Sequence, residues 1–295
     1  MSWISVWGLA ARPRTLPASA APVLVGTALA IADGAWQPGA FVFCLVFALL
    51  LQIGTNYAND YYDFIKGADF GGRLGPARAT AEGFVRPLAM RRAAFIAFCG
   101  AFLCGLPLVA YGGWLLLPIG VACILSGLAY TAGPWPLAYT GLGDVFVFLF
   151  FGVVAVTVTY YVHTGVFAAA AFTVSLPVGA LITNILVVNN LRDRRTDELA
   201  GKNTLAVRFG ESFSLAEYVG LLVLAFGAVA VLGVTRPGWV VMLPLVLLPW
   251  AILLLRRFLS ADSGPEYNAV LSETALFALA FSLSLSMGLL LSALA

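Results

Sequence analysis

Two clusters of carboxylates and amides follow long apolar segments, one in each half of the chain. They occupy residues 59–63 (Asn-Asp-Tyr-Tyr-Asp) and 189–197 (Asn-Asn-Leu-Arg-Asp-Arg-Arg-Thr-Asp). Residues four and eight positions apart on a helix share a face, so Asn189, Asp193 and Asp197 are expected to form one stripe of oxygen ligands. Such hard oxygens suit Mg²⁺, which binds through a few carboxylates together with substrate phosphates. The paired clusters predict a divalent-metal site for an anionic substrate.

Basic residues accompany both clusters. Lys66, Arg73 and Arg78 follow the first cluster, and Lys202 follows the second. A metal that bridges carboxylates to phosphate, with bases neutralising the remaining charge, is what a diphosphate needs. The simpler alternative is that these bases only mark the cytoplasmic side of a membrane protein. The pairing of both clusters with bases favours the diphosphate interpretation.

Composition places these clusters in a membrane protein. The chain has 295 residues, of which 61% are hydrophobic and 10% charged, and its mean hydropathy is +0.97. A soluble domain carries about 25% charged residues. The net charge of +2 gives no sign of a nucleic-acid partner, so the expected partner is the lipid bilayer. Carboxylates at the end of a membrane helix are costly unless something compensates them, which marks both clusters as functional.

Hydropathy predicts an all-α membrane protein of nine transmembrane helices. Each candidate span approaches or exceeds the length of about 20 apolar residues that a helix needs to cross a bilayer. The spans are 15–32, 40–62, 93–111, 114–132, 143–162, 166–190, 213–235, 238–256 and 270–293. With the N-terminus in the cytoplasm and the C-terminus outside, fifteen of the sixteen basic residues fall inside, and only Arg236 falls outside. The positive-inside rule therefore favours this orientation.

Two long inside loops, 63–92 and 191–212, follow the clusters and are expected to cap a central cavity. The clusters lie 130 residues apart, which hints at an internal duplication. We therefore predict one domain over 1–295, with two repeated halves (1–132 and 133–256) and a last helix at 270–293.

Longer motifs carry a family resemblance from about residue 8 to residue 210. They are residues 11–17 (Ala-Arg-Pro-Arg-Thr-Leu-Pro), 56–69, 141–144 (Gly-Leu-Gly-Asp) and 189–206. Together they resemble the UbiA-type intramembrane prenyltransferases, and within them the branch that prenylates 1,4-dihydroxy-2-naphthoate. The resemblance implies transfer of a polyprenyl group from its diphosphate, with loss of CO₂ and diphosphate, to give demethylmenaquinol. It also implies the cytoplasmic (inner) membrane, with the active site facing the cytoplasm.

The resemblance further implies roles for single residues. Mg²⁺ would be held by Asp60, Asp63, Asp69, Asp193 and Asp197. The diphosphate would meet Lys66, Arg73, Lys202, Arg14 and Arg78, and the amides of Asn56, Asn59 and Asn189 would lie on the substrate side. Apart from the resemblance, Tyr130, Tyr139 and Asp144 are expected on the inside face after the fourth span, with Tyr130 and Asp144 as candidate catalytic residues. Asp144 would orient an acceptor hydroxyl or take up a proton, although a simple helix N-cap is an alternative. The general pattern of the first motif has an acid where this chain has Gly67, so either Asp60 or Asp69 supplies the remaining ligand.

Two alternatives remain open at this point. The acceptor can be another aromatic ring, such as 4-hydroxybenzoate or homogentisate, because nothing in the physics of the sequence identifies it. A membrane transporter with carboxylate ion sites belongs to another class, but transporters place such groups near the midplane of the bilayer. In this chain the acids cluster at one face beside bases, which favours phosphate chemistry.

Overall fold

The computed structural model describes residues 3–68, 74–236 and 238–294, without the side chain of Ile4. Within these ranges all regular secondary structure is helical, as predicted. We number ten helices in chain order: α1 (Trp3–Ala11), α2 (Leu16–Ala32), α3 (Pro38–Ile65), α4 (Pro87–Gly112), α5 (Leu116–Ala129), α6 (Gly143–Thr164), α7 (Ala169–Leu199), α8 (Leu205–Thr235), α9 (Trp239–Ser260) and α10 (Gly264–Ser292).

Eight of the described segments are long and apolar enough to cross a membrane, α1 and α2 counting together as Ser5–Ala32. The ninth predicted span, 114–132, is the 14-residue helix α5, which is shorter than a full crossing. It follows α4 at once because Gly113, at φ 76°, reverses the chain after Gly112. The described part of the chain therefore has eight segments of sufficient length and one short apolar helix.

The second inside loop, predicted over 191–212, is wrong in extent. Helix α7 continues to Leu199 and α8 begins at Leu205, so residues 200–204 connect them. Helix α8 is broken at Gly210 (φ 82°), close to the predicted end of the loop. The charged residues after the apolar run are good helix formers outside the bilayer, so the helix does not end where hydropathy does. Gly201, at φ 71°, ends the turn, and the Thr204 hydroxyl caps α8 by accepting a bond from the Val207 N–H.

Helix α7 lies at the centre of the bundle and is mostly enclosed: 72% of its apolar window is buried, against 17% for α3. Helices α2, α6, α8 and α10 pack around α7. It packs tightly on α6, where a Cβ built on Gly152 would lie 2.5 Å from the Gly179 Cα. Small residues let membrane helices approach this closely. Helix α7 carries the second acidic cluster, so the best-packed helix positions that half of the site.

Candidate active site

One cavity of about 390 Å³ joins both acidic clusters to an apolar interior. Its polar end is lined by Arg12, Arg14, Asn56, Asn59, Asp63, Arg78, Tyr130, Asn189, Asn190, Asp193, Asp197 and Lys202. Its apolar end is lined by residues of α3, α4, α5 and α6, among them Phe47, Leu106, Leu117, Gly120 and Phe150. A charged mouth that continues into an apolar channel fits an amphiphile with an anionic head.

Asp63 of the first cluster is connected to the second cluster through Lys202. One of its carboxylate oxygens lies 3.0 Å from Arg78 Nη2. The other accepts a hydrogen bond from the Tyr139 hydroxyl at 2.9 Å and lies 3.4 Å from Lys202 Nζ. The same ammonium is 3.8 Å from Asp197, so one lysine links an acid of α3 to an acid of α7. Asp63 is 2% exposed, and these partners compensate the burial of its charge.

Asp60 has a different environment. It is 1% exposed, and its two oxygens accept hydrogen bonds from the backbone N–H groups of Ala79 and Thr80, each at 3.0 Å. It is not among the described residues that line the cavity. Its carboxylate fixes the segment that places Arg78 against Asp63. Asp69, the alternative ligand, lies outside the described residues, as does Arg73.

The second cluster is organised by Arg192, whose guanidinium is buried. Its Nε and Nη2 donate to the two oxygens of Asp193 at 2.8 and 2.6 Å, and Nη2 also donates to Asn189 Oδ1 at 2.9 Å. A bidentate pair of this kind fixes the carboxylate in orientation as well as in charge. Asn189, Asp193 and Asp197 all line the cavity from one helix, as the spacing predicts.

Lys66, just after α3, points across to the loop before α6. Its Nζ donates to the Thr131 carbonyl at 2.7 Å and lies 4.5 Å from the centre of the Tyr139 ring. The Thr131 hydroxyl donates to Asn59 Oδ1 at 2.8 Å, which links this lysine to the first cluster. Desolvation, and after it the opposing charges of Asp63 and Lys202, leave the pKa of Lys66 below its ordinary value.

Tyr130 and Asp144 lie together on another side of the polar end. Tyr130 lines the cavity, and burial, reinforced by the Asp144 charge, raises the pKa of its phenol, which therefore stays protonated as a donor. Asp144 is 4% exposed, with the Asn190 Nδ2 at 3.4 and 3.5 Å from its two oxygens. It stands in the first turn of α6, and the N-cap position belongs to Leu142, so the N-cap alternative is wrong.

Asn56 and Arg14 shape the entrance beside α2. The Asn56 amide donates to the Ala11 carbonyl at 2.9 Å and to Thr15 Oγ1 at 3.2 Å, which ties α3 to the turn between α1 and α2. Within that turn Arg12 has φ 52°, a conformation that a non-glycine residue rarely adopts. The turn brings both Arg12 and Arg14 to the wall of the cavity.

The donors at the polar end fit a magnesium ion that shares its ligands with phosphate. The cavity is lined by Asp63, Asp193, Asp197, Asn59 and Asn189, whose side chains carry hard oxygen atoms. Among the described residues, no three His, Cys, Asp or Glu side chains converge closely enough to hold an ion by themselves. This arrangement of the carboxylates suits Mg²⁺, which usually binds one or two carboxylates and completes its coordination shell with water and substrate phosphates.

Sequence reasoning missed two residues that the structure brings to the site, Thr131 and Asn268, and gave no role to a third, Tyr139. Tyr139 and Thr131 lie in the segment between α5 and α6, and Asn268 of α10 accepts a hydrogen bond from Arg192 Nη1 at 2.8 Å. No spacing signal connects them to the acidic clusters, because they belong to other parts of the chain. For Tyr139, the available signal was its place in an inside loop with Tyr130 and Asp144.

Comparison with known proteins identifies the family of the chain. The chain is 36% identical to "1,4-dihydroxy-2-naphthoate octaprenyltransferase" of Mycobacterium leprae, over 99% of this chain and 98% of the relative. It is 30% identical to the human "UbiA prenyltransferase domain-containing protein 1", over 96% and 83% of the two chains. A solved UbiA homologue from Archaeoglobus fulgidus, bound to DMAPP and Mg²⁺, superposes with a TM-score of 0.69 at 15% identity, covering 96% of this chain and 98% of that one. The sequence profile of the UbiA prenyltransferase family matches residues 19–277, and the chain belongs to that family.

Proposed function

We propose that this protein transfers a polyprenyl group from polyprenyl diphosphate to 1,4-dihydroxy-2-naphthoate, releasing CO₂ and diphosphate and giving demethylmenaquinol. The observation that carries the proposal is Lys202, which links Asp63 and Asp197 at the charged mouth of a cavity whose other end is apolar. The geometry supports a prenyl diphosphate as donor. The acceptor comes from the names of relatives such as that of M. leprae.

The polar end would hold the diphosphate. Asp63, Asp193 and Asp197, with Asn59 and Asn189, are the residues that would hold Mg²⁺. When bound, the ion would neutralise the diphosphate and make it a better leaving group. Arg78, Lys202 and Arg14 would offset the charge that remains on the leaving oxygen as the allylic C–O bond breaks. The isoprenoid tail would lie along the apolar walls.

The acceptor would lie beside Tyr130, Asn190 and Asp144. The neutral phenol of Tyr130 is suited to donate a hydrogen bond to an acceptor oxygen. Asp144 would orient the Asn190 amide or take up the proton that the reaction releases. The ring carbon that bears the carboxyl group forms the new C–C bond. CO₂ then leaves, its bonding electrons return to the ring, and the carboxyl proton is released.

The proposal includes the location of the protein in the cell and the orientation of its active site. The charged mouth lies at the end of the bundle that carries nearly all the basic residues, which supports a site facing the cytoplasm from the inner membrane. Single cysteines at Gly67 and Gly165, introduced after the four native cysteines are removed, test this orientation. An impermeant thiol reagent applied to intact cells should label the Gly165 position alone. Labelling of the Gly67 position alone would reverse the orientation.

An assay of the purified protein tests the reaction itself. The protein would be given Mg²⁺, a polyprenyl diphosphate and, in parallel, 1,4-dihydroxy-2-naphthoate, 4-hydroxybenzoate or homogentisate. We expect a prenylated product and CO₂ from the naphthoate only. Product from 4-hydroxybenzoate but not from the naphthoate would overturn the acceptor assignment. Metal-independent turnover would contradict the role given to the acidic clusters.

A further inference from the structure

Arg192 contacts more than the second acidic cluster. While Nε and Nη2 bind Asp193 and Asn189, its Nη1 donates to Asn268 Oδ1 at 2.8 Å. Asn268 lies in the second turn of α10, 76 residues further along the chain. The planar guanidinium can make these contacts at once because its donors point in fixed, divergent directions, which a lysine cannot reproduce.

Asn268 also forms a hydrogen bond with the first inside loop. Its Nδ2 donates to the Leu74 carbonyl at 2.8 Å. The next residue, Gly75, lies so close to the guanidinium that a Cβ built on it would be 2.7 Å from Arg192 Nη2. The start of the described loop, residues 74–86, is therefore held against the second acidic cluster by a side-chain bridge and by direct packing.

A few residues later, Asp60 of the first cluster holds the same loop. Its carboxylate accepts from the N–H groups of Ala79 and Thr80, and the residue just before them, Arg78, reaches Asp63 at 3.0 Å. The loop is thus fixed at two points, one by each acidic cluster, and Arg78 lies between them. A segment fixed at both ends loses conformational freedom, which lowers the entropic cost of presenting Arg78 to a ligand.

We propose that Asn268 is a positioning residue, which couples Arg192 to the loop that carries Arg78 and so preorganises the diphosphate end of the cavity. The inference rests on the proposed function, since it takes the ligand to be a prenyl diphosphate. Asn268 itself is not among the described residues that line the cavity, so its effect passes through Arg192 and Leu74. The full chain, with α10 in place, is needed for a complete site.

The test compares Asn268→Ala and Asn268→Asp with the control Ser272→Ala. Ser272 lies one turn further along α10, and its hydroxyl bonds only the Asn268 carbonyl of its own helix. Two quantities are measured on purified protein: binding of farnesyl thiolodiphosphate with Mg²⁺, and hydrogen–deuterium exchange of the loop 74–86. We expect Asn268→Ala to bind about tenfold more weakly, the loss expected for one or two hydrogen bonds. Its loop should exchange faster, while its melting temperature stays close to that of Ser272→Ala.

Asn268→Asp distinguishes the hydrogen bond with Arg192 from the hydrogen bond with the Leu74 carbonyl. Its carboxylate still accepts from Arg192 but offers no N–H to the Leu74 carbonyl, so loop exchange should rise as in Asn268→Ala. Unchanged exchange in Asn268→Ala, or faster exchange with unaltered diphosphate binding, would overturn the proposal. If the unsubstituted protein binds no prenyl diphosphate at all, the proposed function fails. The exchange of the loop still decides whether Asn268 holds it.

Discussion

Tyr139 and Asp63, 76 positions apart in the chain, meet at 2.9 Å, with the phenol hydroxyl donating to the carboxylate. The same ring has two ammonium groups near it, Lys66 at 4.5 Å and Lys202 at 5.0 Å from its centre. One aromatic side chain therefore contacts an acid of the first cluster and two bases. It joins the loop before α6 to α3 and separates two like charges that would otherwise repel each other.

Replacing Tyr139 by Phe should remove the bond to Asp63 and leave the ring between the lysines. A hydrogen bond to a charged group contributes roughly 1.5–3 kcal/mol, so kcat/KM for prenyl transfer should fall by about tenfold or more. Tyr139→Leu, which also loses the contact with the cations, should fall further. The control is Tyr160→Phe, which loses a hydroxyl bond to Asp33 at 2.8 Å on the far side of the bundle. Equal losses in both Phe variants would contradict this assignment.

Removal of metal should abolish transfer, and added Mg²⁺ should restore it. Asp63→Asn keeps the size of the side chain but removes the charge that a cation needs. It should lower kcat by about 100-fold or more, as expected when a group that stabilises the transition state is lost. The matched variant Asp33→Asn removes a carboxylate that pairs with Arg236 at the opposite end, and it should retain activity. Full activity of Asp63→Asn in Mg²⁺ would exclude this carboxylate from the metal site.

The lowered pKa of Lys66 predicts an alkaline limit to substrate binding. Desolvation disfavours the charged ammonium, so the proton leaves at a lower pH than from a free lysine. As pH rises through that lowered pKa, Lys66 loses its charge. Lys66 is not among the described residues that line the cavity, but it shares the Tyr139 ring with Lys202, so the loss of its charge should raise KM for the diphosphate. Lys66→Arg stays charged throughout, so its KM should not rise in that range. A pH profile of KM that is identical in both proteins would show that another group sets the limit.

Filling the apolar end should select against long donors. Gly120 lines the cavity, and a Cβ built on it meets the Phe47 ring at 3.9 Å, an ordinary contact. Gly120→Ala should therefore be nearly neutral, whereas the larger side chain of Gly120→Leu should occupy space needed by the isoprenoid. We expect kcat/KM to fall by about tenfold for a long polyprenyl diphosphate and much less for farnesyl diphosphate. Equal losses for both donors would place the tail elsewhere.

Hydropathy was sufficient to predict most of the helices of the fold. The predicted span 15–32 corresponds closely to α2, and the apolar runs became helices because backbone groups in lipid must bond within their own segment. It failed at the membrane surface, where α7 continues to Leu199 through charged residues that hydropathy assigns to a loop. The length of α5 was overestimated because the neighbouring turn residues are also apolar.

The site was predictable where it is local to one helix. The spacing of Asn189, Asp193 and Asp197 placed them on one face of α7, and all three line the cavity. Contacts between distant segments could not be read from spacing: the bond from Tyr139 to Asp63, the bridge by Asn268, and the loop that occupies Asp60. Each depends on how the helices pack, which a single sequence does not encode in any local pattern.

The close approach of Gly152 and Gly179 has a mechanical consequence. Neither glycine accepts a methyl group without displacement of the backbone, so α6 and α7 touch here with no side chain between them and can approach no further. The same pair of helices carries Asp144, in the first turn of α6, and Asn190 of α7, so this contact helps to set the distance between the two side chains. A long isoprenoid therefore finds no opening between these two helices at this point, and we expect it to enter from the bilayer along the wall that α3, α4 and α5 form.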